Sequence, residues 1–205
     1  MREKANPRNL LSALFFQANS ELLQLMDGFY SNIEDGLFEL AYGNDNQAQQ
    51  RHIIELMREL RFRRQHLINT FSKRMQTAAH NWWEQTADAT EYLVERELAC
   101  AMASKCTAHF GTLLQSVAER VTHAMGARVS RQDLPISPEA VSYHFILSCR
   151  SVDFDEYSID TVKNLFQRFV LDRLGTIYGM LNQQLADSGF CTDHELEDLT
   201  LTHSA

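Results

Sequence analysis

The chain has 205 residues, of which 44% are hydrophobic, and it contains few glycines and prolines. This length supports one domain or two small ones with a substantial core, and the scarcity of helix breakers predicts long helices. The net charge of -8 argues against nucleic acid as a partner, and no apolar run is long enough to span a membrane. The four scattered cysteines and the lack of a signal peptide predict reduced thiols in a cytoplasmic protein.

The first two predicted helices form a hairpin. Asn6-Pro7 is typical of a helix start, Gly43 favours a stop, and a second helix begins near Gln47. Each helix carries one apolar stripe with steps of three and four residues, and the short connection between them predicts an antiparallel pair. The stripes consist of Leu11, Phe15, Ala18, Leu22, Met26, Phe29, Ile33, Leu37 and Leu40 on the first helix, and Ile53, Met57, Leu60, Leu67, Phe71, Met75, Ala78 and Trp82 on the second.

Charge supports this pairing. Residues 9–50 contain no Lys or Arg, whereas residues 51–74 contain Arg51, Arg58, Arg61, Arg63, Arg64, Lys73 and Arg74 against only Glu55 and Glu59. An acidic helix beside a basic one is an attractive pair, although each exposed ion pair contributes only about 0–1 kcal/mol.

Three more helices are predicted after a joint at residues 85–90. The third runs from about Glu91 to Met125, and Ser137-Pro138 opens a short fourth helix that ends at Cys149. A single long helix then runs from about Ser158 to Ser188. The predicted stripe of the third helix is Leu98, Met102, Cys106, Phe110, Leu113, Val117 and Val121.

The predicted fold is therefore all-α. It consists of a long antiparallel helical hairpin over residues 6–83, a three-helix segment over residues 91–190, and an acidic flexible tail over residues 191–205. The two helical units form either one elongated helical bundle or two loosely joined parts.

The segment from Leu134 to Phe190, with Ser137-Pro138, Leu174-Gly175, Tyr178 and Asn182, resembles a known family. This is the N-terminal region of an uncharacterised proteobacterial family, a domain of unknown function whose members are often mislabelled "thymidine phosphorylase". The resemblance extends upstream through residues 93–98 and 35–41. It implies longer chains, some with a C-terminal module similar to the cyclic-di-GMP-binding PilZ domain, and no established activity. The nucleotide-binding motif of that module, Arg-x-x-x-Arg followed by Asp/Asn-x-Ser-x-x-Gly, does not occur here, so its site is not carried over.

The first candidate site is the basic cluster of Arg58, Arg61, Arg63 and Arg64. Arg64 falls within the apolar stripe, so its guanidinium must reach a carboxylate, extend to solvent or face an anionic partner. We favour an intramolecular ion pair with an acid of a neighbouring helix. A binding site for a nucleotide, a nucleic acid or an acidic protein is the alternative, although no glycine-rich loop accompanies the cluster.

Two further candidates are a metal site and a contact residue. The Cys-x-x-His spacings of Cys106 with His109 and of Cys191 with His194 could supply a tetrahedral zinc site, but such short matches are common by chance. We favour His109 as a core or half-buried histidine. Trp82 and Trp83 cannot face the same core, so Trp83 is expected to cover a neighbouring element or to lie at an interface.

Catalytic signatures such as Gly-x-Ser-x-Gly, His-Glu-x-x-His and the phosphate loop do not occur in the sequence. The leading hypothesis is a non-enzymatic, regulatory cytoplasmic helical module, without a cofactor, that acts through a protein partner or self-association. The alternative is a receptor for an anionic nucleotide-type ligand, for example in cyclic-di-GMP signalling, at the Arg58–Arg64 cluster.

Overall fold

A computed structural model describes residues 6–43, 46–83, 92–152 and 154–190. Over these ranges the protein is a bundle of helices, and none of the described residues lies in a β-strand, as predicted for an all-α fold. Two one-turn 3-10 segments, Arg131–Asp133 and Leu171–Arg173, connect helices. The helices are α1 (Pro7–Tyr42), α2 (Gln47–Asn81), α3 (Leu93–Met125), α4 (Pro138–Cys149), α5 (Glu156–Phe169) and α6 (Leu174–Asp187).

The helix starts follow the capping residues. Asn6 accepts a hydrogen bond from the Arg8 backbone N–H at 3.1 Å, and Ser137 accepts one from the Ala140 N–H at 3.1 Å. In both helices a proline follows at the first position, where its missing N–H leaves no hydrogen bond unmade. The predicted starts of α1, α2 and α4 are confirmed.

The hairpin of α1 and α2 is confirmed, and the oppositely charged helices meet in two ion pairs. Arg61 binds Glu34, and Arg64 Nη2 lies 3.8 Å from Asp27 Oδ1. Most of the two predicted stripes are buried, but α1 rotates slightly at its end, so that Ala41 is buried in place of Leu40.

A cluster of phenylalanines joins the hairpin to the rest of the bundle. Phe145 of α4 stacks on Phe166 of α5 with ring centroids 3.7 Å apart, and both rings meet the edge of Phe29 of α1. Because all three are almost fully buried, one continuous hydrophobic core runs from the hairpin into α4 and α5.

The predicted single helix over residues 158–188 is wrong. The structure has two helices, α5 and α6, which are separated by the 3-10 turn at Leu171–Arg173. The Leu171 carbonyl accepts a hydrogen bond from the Leu174 backbone N–H within the turn. It also accepts one from Cys106 Sγ at 3.2 Å, which ties the break between α5 and α6 to α3.

The predicted stripe of α3 is confirmed in part, because Cys106, Val117 and Val121 are buried in the core but two of its leucines are not. Leu98 and Leu113 are about 40% exposed, and the core-facing positions are largely small residues such as Ala99 and Ala103. Small side chains allow close approach, which is most evident where α3 meets α6. There a Cβ on Gly175 would lie only 2.4 Å from a carbon of the Phe110 ring.

Several predictions lie outside the described residues. These are the joint at residues 85–90, the start of the third helix at Glu91, and the acidic tail over residues 191–205. Among the helices that the structure describes, none combines the length and the apolar character needed to cross a membrane.

Candidate functional site

Three of the four clustered arginines contact carboxylates of the chain itself. Arg61 Nε donates to Glu34 Oε1 at 2.8 Å, and this hydrogen bond lowers the pKa of Glu34 below its usual range. Arg63 Nε donates to Glu59 at 2.8 Å one turn away, and Arg64 reaches Asp27. An anionic ligand would have to displace these carboxylates, because each guanidinium already has an anionic neighbour.

Arg58 differs from the other three. It is exposed, and none of the described residues places a carboxylate within ion-pair distance of it. Ile54, Arg58 and Phe62 follow each other at intervals of four residues, so they lie on one face of α2. The Phe62 side chain is 80% exposed and Ile54 is 44% exposed. Exposed apolar side chains beside an unpaired arginine are typical of protein-binding surfaces.

The end of α1 continues this surface. Phe38 and Tyr42 lie one and two turns beyond Glu34, with their ring centroids 4.2 Å apart, and Tyr42 is 75% exposed. The contact of Glu34 with Arg61 fixes the register of the antiparallel helices. The turns that follow Glu34 on α1 therefore lie beside the turns that precede Arg61 on α2. We name the combined patch the hairpin surface; it consists of Phe38, Tyr42, Ile54, Arg58 and Phe62.

The two tryptophans differ in environment. Trp82 is buried and meets the edge of Phe15 at a centroid distance of 5.2 Å. Trp83 is half-buried at the edge of the core, with its ring centroid 6.0 Å from that of Trp82 and 6.3 Å from that of His80. Trp83 therefore covers a neighbouring part of the chain while keeping one part of its ring accessible.

The predicted metal ligands are only partly described. Cys106 is buried on α3, and burial raises the pKa of its thiol to about 12, so the thiolate needed for zinc is disfavoured. His109 is exposed and borders an open cleft of about 520 Å³ with Lys105 and Asp172. Cys191 and His194 lie outside the described residues. The rest of the chain, so far as the structure describes it, brings no three His, Cys, Asp or Glu side chains together in a metal-binding arrangement.

A Ser–His–Asp contact joins α2 to α5. His52 Nε2 lies 2.9 Å from Ser158 Oγ and 3.2 Å from Asp155 Oδ2, while Ser158 Oγ donates to Asp155 Oδ2. In a catalytic triad the carboxylate holds one imidazole nitrogen and the serine donates to the other. Here one nitrogen faces both groups, and the serine proton is directed to the carboxylate. The contact is a helix cap with a cross-helix partner, because Asp155 also accepts from the Ser158 backbone N–H.

Sequence reasoning selected the arginines but missed the aromatic part of the hairpin surface. The signal was present, since Phe38, Ile54 and Phe62 all fall outside the predicted apolar stripes. A large apolar residue on the polar face of an amphipathic helix has no core to enter, and several on one surface indicate a binding site.

Comparison with known proteins yields one family. Residues 6–189 match the family described as the N-terminal domain of a protein of unknown function (DUF1631). Neither the curated proteins nor the solved structures contain a significant match to the chain.

Proposed function

Since the chain belongs to the DUF1631 N-terminal domain family, whose function is unknown, we propose a function for it from the geometry: a non-enzymatic, regulatory cytoplasmic module that binds a protein partner. The observation that supports this proposal is the 80% exposure of Phe62 on a face that also carries Ile54 and Arg58. Leaving this apolar area in water is unfavourable by roughly 25 cal/mol per Å², and a partner that covers it would recover that free energy.

The charge of the hairpin surface indicates the chemistry of the partner. Arg51 and Arg58 are exposed on the same face of α2, and no described residue forms an ion pair with either. Two copies of this surface would bring like charges together, which disfavours self-association through it. We therefore propose an amphipathic helix as the partner, with an apolar stripe for Phe62 and Ile54 and flanking acidic residues for the arginines.

A receptor for an anionic nucleotide at Arg58, Arg61, Arg63 and Arg64 is the less well supported alternative. Each of Arg61, Arg63 and Arg64 has a carboxylate neighbour, and these neighbours lie on two helices, Glu34 and Asp27 on α1 and Glu59 on α2. Trp83 is also a less suitable contact residue than Phe62, because it is already half-buried.

Site-specific photo-crosslinking in the host cell tests the proposal. We expect a benzoyl-phenylalanine at position 62 to crosslink one protein, and the same group at position 42 to crosslink the same protein. Gln76 is the matched control, because it is an exposed residue on the same side of α2, fourteen residues further along. The crosslink should be lost on Arg58→Glu, with helicity unchanged. If positions 62 and 76 crosslink the same proteins to the same extent, the proposal is wrong. If position 62 crosslinks a second copy of this chain, the partner is another copy of the protein and not an acidic helix.

A further inference from the structure

Three basic side chains from three different helices lie near one another, and two of them act electrostatically on the third. Arg74 belongs to α2, Arg96 to the first turn of α3, and His144 to the middle of α4. Helix α4 packs against both other helices. His66 of α2 contacts Ser151 just beyond the end of α4, and Arg150 binds Glu95 of α3. Arg74 follows His66 by about two helical turns on α2, and His144 precedes Ser151 by about two turns on α4. Because two turns span the same distance on either helix, Arg74 and His144 lie at about the same height in the bundle.

Two buried side-chain nitrogens at this junction lack hydrogen-bond partners. Arg74 Nε and His144 Nδ1 are shielded from solvent, and neither has a hydrogen-bond partner among the described residues. Within the same part of the chain, no carboxylate lies within 4.0 Å of Arg74 or Arg96. This sets them apart from the arginines that do have such a partner, namely Arg61, Arg63, Arg64, Arg150 and Arg168. A buried guanidinium N–H without an acceptor is unfavourable, so the site is suited to an acceptor from outside the described residues.

Electrostatics at the junction favour an anion. Burial is the main cause that lowers the pKa of His144 from 6.5 to about 4, and the positive charges of Arg74 and Arg96 lower it further. The two guanidinium groups therefore act on the same imidazole from two helices. The guanidinium of Arg96 is also positioned over the Tyr143 ring, with its central carbon 4.9 Å from the ring centroid. This contact restrains the arginine before any ligand arrives.

We infer that Arg74, Arg96 and His144 form a binding site for a phosphate-type oxyanion. Guanidinium groups match the geometry of phosphate oxygens and donate two hydrogen bonds at once. In this arrangement Arg74 and Arg96 hold the anion from two helices, and His144 donates to it from the third. The site is separate from the hairpin surface, so this inference stands independently of the proposed function. The same chemistry is offered by inorganic phosphate and by a phosphomonoester, and both would bridge α2, α3 and α4.

Titration with inorganic phosphate, followed through the His144 ring resonances by NMR at pH 7, tests the inference. We expect a saturable shift that sodium chloride at the same ionic strength does not reproduce. Arg74→Gln and Arg96→Gln should each weaken phosphate binding about tenfold, because each removes a charge-assisted contact. Arg58→Gln is the matched control and should leave the affinity unchanged. Phosphoserine in place of phosphate distinguishes a phosphomonoester site, if it binds more tightly, from an inorganic phosphate site.

Two results would overturn the inference, and a further variant separates them. The segment between α2 and α3 in sequence contains Glu84, Asp88 and Glu91, whose carboxylates are anions of the chain itself. If phosphate leaves the resonances unchanged, but combined replacement of these acids by their amides moves them, the chain's own carboxylates are the occupant. If neither treatment moves them, the junction binds no anion and the inference is wrong.

Discussion

The hairpin and the C-terminal half of the bundle are stabilised in different ways. Helices α1 and α2 are 36 and 35 residues long, and they share many similar apolar contacts along a continuous stripe. Helices α4, α5 and α6 have only 12, 14 and 14 residues, and their ends are fixed by single specific contacts such as the Ser137 cap and the hydrogen bond from Tyr178 Oη to the Ile136 carbonyl. A long helix with many similar contacts loses little stability when one contact is removed, whereas a short helix depends on each contact at its ends.

The largest expected effect concerns the aromatic cluster where the two regions meet. Phe166→Ala removes a fully buried ring that stacks on Phe145 and meets Phe29, so we expect a loss of about 3–5 kcal/mol in the free energy of unfolding. Urea denaturation measures this loss. Phe62→Ala is the matched control, since its exposed ring should change stability by only about 0.5 kcal/mol or less. Equal losses for the two variants would show that Phe62 belongs to the core.

An intermediate effect is expected from a single hydroxyl group of the C-terminal half. Tyr178→Phe keeps the buried ring but removes the donor to the Ile136 carbonyl, which is 3.0 Å away in the segment that leads into α4. A buried acceptor left without a partner is unfavourable by about 1–3 kcal/mol, and we expect a destabilisation in this range. Tyr42→Phe on the hairpin should have no measurable effect. If Tyr178→Phe is equally silent, the entry into α4 is not held by this hydrogen bond.

The smallest effect compares two helix caps. Asp155→Ala at the start of α5 should lower stability by about 1 kcal/mol, while Asn6→Ala at the start of α1 should lower it by less, because α1 has many other contacts. The cap at Asp155 should also depend on pH. Hydrogen bonds from the Ser158 backbone N–H and hydroxyl, together with His52, lower the pKa of Asp155 below 3.8. The stabilisation by Asp155 is therefore present above pH 3.8 and is lost as the pH falls through its lowered pKa. Thermal unfolding of both variants at pH 7 and in acid measures this difference, and a larger loss for Asn6→Ala would reverse the comparison.

The sequence predicted the hairpin and its ends well because local chemistry determines them. The Asn6 cap and the long apolar stripes are features of one helix at a time, and the predicted starts of α1 and α2 are correct. The same holds for the Ser137-Pro138 start of α4. Arg64 was open to several interpretations, and the structure places it beside Asp27 and Ser31 of α1.

The errors arose where tertiary contacts decide the structure. Phe166, Val170 and Leu174 keep a spacing of four residues across the 3-10 turn, so the apolar pattern predicts one helix although the chain breaks at residues 171–173. On α3 the bulkier Leu98 and Leu113 suggested the core face, but the neighbouring helices approach closely enough to favour Ala99 and Ala103. The junction of Arg74, Arg96 and His144 joins three helices distant in sequence, so no local pattern indicates it.

The packing of α3 against α6 depends on the absence of a side chain at Gly175. The Phe110 ring occupies the space where the methyl group of an alanine would lie, and the same ring also meets the edge of Tyr178. Adding one carbon at position 175 would displace the Phe110 ring and disturb its contact with Tyr178, whose hydroxyl donates to the Ile136 carbonyl. A single methyl group on α6 would therefore be felt at the start of α4, because one ring and one hydroxyl connect the two places.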